Sequence, residues 1–335
     1  MRLSCRRGIV AAGWCVAVLV GGCRAPIGNP VHTPRATPEA AIPAPTSRAA
    51  PPLATARPHR RVDLPGIPVP TAPSQVPKEL RDTLAAIVAS SGDHYGVVLE
   101  ETNRNERFGW DDQRVFPSGS LYKLVVAAEV LRRMDAGSLS LDEPLTILPD
   151  DASEPEPDGG LSPGDTPTIE EALQAMLSVS SNAAGHALLR QLGRAEFNQA
   201  VAAEGLAHTR VPADGDDTDA VAVTSPADMA RLLRLVATGQ SLSDVSRTLL
   251  YSLMQVQGEP RPVEESLPSE AVVRAKAGNL DTASNVAALV VANGHTFSLT
   301  VLDEDVDPGD ARMCIGQLAR AAYDFYATED REPRE

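Results

Sequence analysis

Lysine is scarce in this chain. Of 30 basic residues only three are lysines, Lys78, Lys123 and Lys276, and arginine serves everywhere else. Arginine effectively never gives up its proton, whereas a buried lysine can, so the few lysines mark candidate positions for a titratable amine. Histidine is also sparse. His32, His59, His94, His186, His208 and His295 stand at no metal-ligand spacing, which argues against a metal enzyme. No glycine-rich phosphate loop follows a predicted strand, so neither a nucleotide nor any other cofactor is expected. There is no internal repeat. Positive charge is in deficit overall, with a net charge of −15, but the deficit is local. Residues 1–77 carry nine Arg against two acidic residues, net +7, whereas residues 78–335 carry 21 basic against 43 acidic, net −22. So acidic a domain argues against nucleic-acid binding.

Cysteine is nearly absent from the part that folds. Residues 1–23 read as an export signal: Arg2, Arg6 and Arg7 form a basic start, Ile9 to Val20 an apolar run, and Val20-Gly21-Gly22-Cys23 a small-residue site. The apolar run is too short for an ordinary spanning helix. The site resembles the bacterial lipobox, which implies cleavage before Cys23, lipidation of its thiol, and anchoring to the outer face of the cytoplasmic membrane. The Arg6-Arg7 pair leaves the export route open. Cys5 and Cys15 would leave with the signal and Cys23 would carry lipid. Only Cys314 then remains, which excludes an intrachain disulfide. Cys314 shares an apolar helical pattern with Ile315, Leu318, Ala322 and Phe325 and reads as a core residue. Residues 24–77 hold 14 of the 28 prolines and read as an extended tether, with a domain over 78–328 and a tail over 329–335.

Within the domain, Leu80, Leu84, Ile87 and Val88 form a helical stripe that stops at Gly92. Tyr95 to Glu101 and Glu106 to Trp110 read as strands joined through Asn103-Arg104-Asn105. A helix follows Pro117 and Gly119 and runs through Met134. The acidic stretch from Leu139 to Leu161 is loop-like, and helices are expected between Thr168 and Gln257, beginning with a Thr168/Glu171 capping box. Strands return over Val272–Lys276, Asn285–Val291 and His295–Leu302, and a last helix covers Ala311 to Tyr326. Strands at both ends with helices between predict an α/β (α+β) fold. One antiparallel sheet is built from N- and C-terminal segments and flanked by helices, with an all-helical subdomain inserted in the middle.

Three short motifs carry chemistry. In Phe116-Pro117-Ser118-Gly119-Ser120-Leu121-Tyr122-Lys123, Ser120 enters a helix and Lys123 lies one turn on, on the same face. Free N–H groups at the helix start favour negative charge near Ser120, and an amine three residues on can take its hydroxyl proton. Ser120 is the candidate nucleophile; the alternative is an N-cap serine with a snorkelling lysine. In Ser178-Val179-Ser180-Ser181-Asn182, a hydroxyl and an amide two residues apart can both face a cleft, Ser180 to relay a proton and Asn182 to hold a carbonyl. A helix stop followed by an Asn N-cap fits the same pattern. In Arg274-Ala275-Lys276-Ala277-Gly278-Asn279, Lys276 would bind a carboxylate or adjust the proton balance beside a glycine that admits a substrate backbone. As an edge-strand lysine it would merely block aggregation.

In this order the motifs resemble the penicillin-recognising active-site-serine family of class A β-lactamases and related DD-peptidases, with Ser-x-x-Lys, Ser-Asp-Asn and Lys-Thr-Gly. Leu161-Ser162-Pro163-Gly164-Asp165-Thr166 and Ser225-Pro226-Ala227-Asp228-Met229 are similar to that family's connecting segments. The resemblance implies a serine hydrolase that forms an acyl-enzyme, acting on β-lactam or peptidoglycan stem-peptide substrates and expected as a monomer. Ser120 becomes the nucleophile, Lys123 its proton partner, Ser180 the proton shuttle and Lys276 the third-motif lysine. Asn182, Ala277, Gly278 and Asn279 line the substrate, and the N–H groups of Ser120 and Asn279 form the oxyanion hole.

Three departures qualify this. Ser181 stands where the family has Asp, and Ala277 replaces a Thr hydroxyl. From Thr209 to Asp219 there is no counterpart of the family's deacylating glutamate. Asp214 or Asp216 could replace it; otherwise the run is a solvated loop and the acyl-enzyme is long-lived, as in a DD-peptidase. A non-catalytic cell-wall-binding lipoprotein is the remaining alternative.

Overall fold

Two residues open the folded part, β1 (Ser74–Gln75), pairing in parallel with β3 (Glu106–Trp110). They arrive earlier than the sequence suggested. Val76 is 2% exposed, so the end of the proline-rich stretch belongs to the domain. A two-residue strand between Pro73 and Pro77 has no periodicity to betray it. In this computed structural model, residues 74–92, 94–152, 156–212, 222–255 and 261–328 are described. The signal segment, Cys23, most of the tether, Asp214, Asp216 and the tail lie outside them.

After α1 (Lys78–Ser91) come β2 (Tyr95–Glu101) and β3, then a short β4 (Phe116–Pro117). Among the described residues, helices α2 (Tyr122–Asp135), α3 (Ile169–Ser178), α4 (Asn182–Leu192), α5 (Arg194–Ala203), α6 (Pro226–Ala237) and α7 (Asp244–Gln255) follow. They are interrupted by β5 (Val223–Thr224), which pairs with β4. A short α8 (Pro262–Ser266), strands β6 (Val272–Leu280), β7 (Ala283–Ala292) and β8 (His295–Asp303), and α9 (Pro308–Thr328) complete the domain. The main sheet has the order β1-β3-β2-β8-β7-β6, antiparallel except for β1 with β3. N- and C-terminal strands thus meet at β2 and β8, and the helices between them form the expected insertion.

Side chains alternate across the sheet, as strand geometry requires. Val97 and Leu99 on β2, with Val286, Ala288 and Val290 on β7, pack with Leu84 of α1 and Ile315 and Leu318 of α9. Cys314 is a free, buried thiol in this layer, and burial raises its pKa, so it stays protonated and packs as a small apolar group. Ala287 and Leu289 face the other way, into the core built around α2. Helix α2 is buried from Tyr122 through Leu131, the central position of the inserted bundle. The expected capping box of α3 is present: Thr168 accepts from Glu171 N–H at 3.2 Å, and the Glu171 carboxylate accepts from Thr168 N–H at 2.7 Å.

Candidate active site

The turn that bears the candidate nucleophile Ser120 is fixed before α2 begins. Ser118 N–H donates to the Ala222 carbonyl at 2.8 Å, continuing the β4–β5 pairing. Gly119 then takes φ +48°, and Gly119–Leu121 forms a single 3₁₀ turn, so Ser120 sits just ahead of α2. On the far side, Asn285 Nδ2 donates to the Pro117 carbonyl at 2.8 Å, while its Oδ1 accepts from Asp303 N–H at 2.9 Å. The turn is therefore bonded directly to β7 and, through the Asn285 side chain, to β8. Asp303 accepts from Ser284 N–H, but desolvation dominates and raises its pKa to about 6.

Strand β6 passes unusually close to this turn. A methyl group added at Gly278 would lie 2.4 Å from the Ser118 carbonyl oxygen, and one added at Gly119 would lie 2.7 Å from the Gly278 carbonyl oxygen. Only paired glycines allow that approach. It sets Lys276 beside the second motif, with Nζ 3.2 Å from Ser180 Oγ, and Lys276 is 1% exposed although β6 is an edge strand. A lysine guarding an edge would point to solvent, so the aggregation-blocking alternative does not describe it.

The three motifs converge on Ser180. Lys123, fully buried, places Nζ 3.1 Å from Ser120 Oγ and 3.5 Å from Ser180 Oγ, and donates to the Ser180 carbonyl at 2.7 Å. It also donates to Asn182 Oδ1, which leaves the amide hydrogens of Asn182 pointing elsewhere. Lys276 Nζ lies 3.2 Å from Ser180 Oγ and donates to the Ala277 carbonyl at 2.8 Å. One hydroxyl thus sits between two amines contributed by segments 57 and 96 residues away. Lys123 does not snorkel. Asn182 does not cap either: the cap of α4 is Ser181, whose Oγ accepts from Ala184 N–H at 3.2 Å.

Ser180 holds φ +61°, a conformation that disfavours any residue with a Cβ by about 1–2 kcal/mol. It occupies the position after the cap of α3, where glycine is usual. A strained serine at this place motivates a functional role for its hydroxyl. Ala277 is buried and exposes no hydroxyl, Gly278 contributes its close approach, and Asn279 is exposed at the end of the same strand.

Sequence reading missed Glu156. Its carboxylate accepts the Ser181 hydroxyl at 2.5 Å and the Ala183 N–H at 2.7 Å, beside the second motif. It lies 25 residues before Ser181 in a stretch that reads only as an acidic loop, and no spacing rule points to it.

A model of the β-lactamase enzyme family matches residues 79–326. The β-lactamase of Rhodobacter capsulatus is 28% identical over 256 residues, covering 72% of this chain and 86% of that one. The fold is similar to that of PBP-A, with a TM-score of 0.70 at 24% identity over 76% of this chain and 99% of that chain. An ancestral class A β-lactamase gives a TM-score of 0.66 at 29% identity, covering 74% and 100%. The family match spans nearly all of the described domain, from within α1 to within the last turn of α9, and contains all three motifs. The chain therefore belongs to the β-lactamase enzyme family and is a class A β-lactamase-like serine hydrolase.

Proposed function

We propose that Ser120 attacks a β-lactam or peptidoglycan-type amide carbonyl to form an acyl-enzyme that is released slowly. The observation that carries this is the 3.1 Å approach of the buried Lys123 Nζ to the half-buried Ser120 Oγ. Lys123 takes the hydroxyl proton as Oγ adds to the carbonyl carbon. The charge that develops on the carbonyl oxygen is met by the backbone N–H groups of Ser120 and Asn279. Ser180, between Lys123 and Lys276, passes a proton to the departing nitrogen, so the C–N bond breaks without expelling an amide anion. Asn182 Nδ2 is available to a substrate carbonyl because its Oδ1 is taken by Lys123. A PBP-A variant, a structural neighbour, has been solved as an acyl-enzyme complex with penicillin G, which is the chemistry proposed here.

Slow release follows from the lack of a glutamate between Thr209 and Asp219 to activate water. The enzyme is exported and held at the outer face of the cytoplasmic membrane through lipid on Cys23, as a monomer. Labelled penicillin and a chromogenic cephalosporin test the reading together. Persistent label on Ser120, lost in Ser120→Ala and without colour, is expected. Rapid colour that disappears in Asp214→Ala or Asp216→Ala would show instead that an aspartate activates the water. No labelling at all would leave a binding protein on this fold.

A further inference from the structure

Helix α4 begins two residues after the hydroxyl on which the three motifs converge. Its first N–H groups have no acceptor within the helix. Two are satisfied by side chains: Ala184 N–H by Ser181 Oγ at 3.2 Å, and Ala183 N–H by Glu156 Oε1 at 2.7 Å. The second oxygen of Glu156 accepts the Ser181 hydroxyl at 2.5 Å. One carboxylate therefore holds both the cap residue and the helix amide behind it. Its negative charge also sits where the helix dipole favours it.

The loop that brings Glu156 is fastened to α4 on both sides. Before it, Arg190 of α4 grips Asp151 through Nε–Oδ1 at 3.1 Å and Nη2–Oδ2 at 2.7 Å, and His186 Nδ1 donates to the Asp151 carbonyl at 3.0 Å. After it, Leu161 N–H donates to Ser181 Oγ at 3.4 Å. Gly160 completes the fit, because a methyl group there would lie 2.4 Å from Glu156 Oε2.

We infer that Glu156 is a positioning residue for the acylation reaction, supplying from a distant loop the carboxylate that the second motif lacks at Ser181. The physical reason lies in Ser180. Its left-handed backbone stores strain that only the surrounding bonds restrain. Ser181, the next residue, is fully buried and clamped by Glu156, so the turn cannot unwind and Ser180 Oγ stays between the two amines. Without the carboxylate, Ala183 N–H and the Ser181 hydroxyl lose their acceptor, and the turn can relax to an ordinary backbone. Both Glu156 oxygens are engaged by α4, so the group orients the shuttle and does not itself activate water.

The inference rests on the acyl-enzyme reading, and the experiment separates the two. The second-order rate of Ser120 labelling by fluorescent penicillin is measured for wild type, Glu156→Ala, Glu156→Gln, Ser181→Asp and the double variant Glu156→Ala/Ser181→Asp, each checked for a cooperative thermal melt. Glu156→Ala is expected to slow labelling about ten- to a hundred-fold, the scale of a small misplacement of a catalytic group. Glu156→Gln, which keeps the volume, should lie between and carries the comparison if Glu156→Ala does not fold. Ser181→Asp reverses sign with background. Beside Glu156 it places two carboxylates together and slows labelling, whereas without Glu156 it caps α4 itself and restores the rate. Labelling of folded Glu156→Ala within twofold of wild type, or no recovery in the folded double variant, overturns the inference. If wild type is not labelled at all, amide hydrogen exchange decides it. Exchange at Ala183 should be at least about tenfold faster in Glu156→Ala, whose side chain carries no acceptor, and unchanged protection overturns the inference.

Discussion

The closest backbone approach in the site provides the sharpest test of how its parts are held together. In Gly278→Ala the added methyl carbon would fall 2.4 Å from the Ser118 carbonyl oxygen, 2.9 Å from Leu121 Cγ and 3.0 Å from Leu121 N. Two of the three are backbone atoms of the nucleophile's own turn, so no side chain can swing aside. Restoring ordinary contact requires β6 and the 3₁₀ turn to separate by roughly 1 Å. Overpacking of that kind costs about 1–3 kcal/mol of stability. For a domain of this size it corresponds to a melting temperature lower by about 2–12 °C. The larger effect falls on the reaction. Asn279, the next residue on β6 and the proposed second oxyanion-hole donor, moves with Gly278, and a 1 Å misplacement of such a donor costs on the order of a hundredfold in rate. The assay pairs the labelling rate by fluorescent penicillin with a thermal melt. Gly164→Ala serves as the control. Gly164 also has a positive φ, +94°, but nothing lies within 4 Å of its added carbon. It should cost about 1 kcal/mol of backbone strain and leave labelling unchanged. A folded Gly278→Ala enzyme that labels at the wild-type rate would refute the proposition that the β6–turn contact sets the geometry.

Lys123→Arg keeps the charge but removes a group able to accept a proton, so labelling should fall by about 10²–10⁴-fold, read in the same assay; retained labelling would exclude Lys123 as the base. Ser180→Gly and Ser180→Ala both remove the proposed shuttle hydroxyl and should both lose labelling. Calorimetry should find the glycine variant more stable by about 1 kcal/mol, because only glycine is at ease at φ +61°. Asp303 governs stability against pH. Its folded pKa is raised to about 6 from an ordinary 3.8, so the folded state holds the proton more tightly than the unfolded chain does. Stabilisation from this group is full below about pH 4 and is lost as pH rises through about 6, a change on the order of 3 kcal/mol. Asp303→Asn should therefore gain on wild type by that order between pH 4 and 8 in denaturant titrations. A pH-independent difference would show that Asp303 is not the titrating group.

What the sequence makes legible is what local patterning encodes. Strands β2 and β3 fall on the expected residues, Tyr95–Glu101 and Glu106–Trp110, because the turn-rich Asn103-Arg104-Asn105 separates two runs able to pair. Helices α3 and α6 start where Thr168 and Ser225 offer a side-chain acceptor to the third residue on. The short pieces are different. β1 is two residues that pair only because β3 is there to receive them, and β4 exists by pairing with β5 more than a hundred residues later. No periodicity in two residues can announce a partner so remote.

The site divides along the same line. Ser120 and Lys123 are one helical turn apart, so their meeting at 3.1 Å is nearly guaranteed by spacing. Ser180 and Lys276 required the resemblance to be placed, since nothing local brings a strand lysine to a loop hydroxyl 96 residues earlier. Ser181 shows why adjacency can mislead. Read along the chain, a serine where the family carries an aspartate resembles the loss of a charge and the first step of a decaying site. In space, the Ser181 hydroxyl ends on the Glu156 carboxylate, and helix α4 has an acidic group at its start after all. To a helix N-terminus it makes no electrostatic difference whether the carboxylate hangs from its own cap residue or reaches it from a loop 25 residues upstream. A motif is a statement about positions in a sequence, while the requirement it stands for is a charge at a place. The departure at Ser181 is therefore no argument that the site has stopped working.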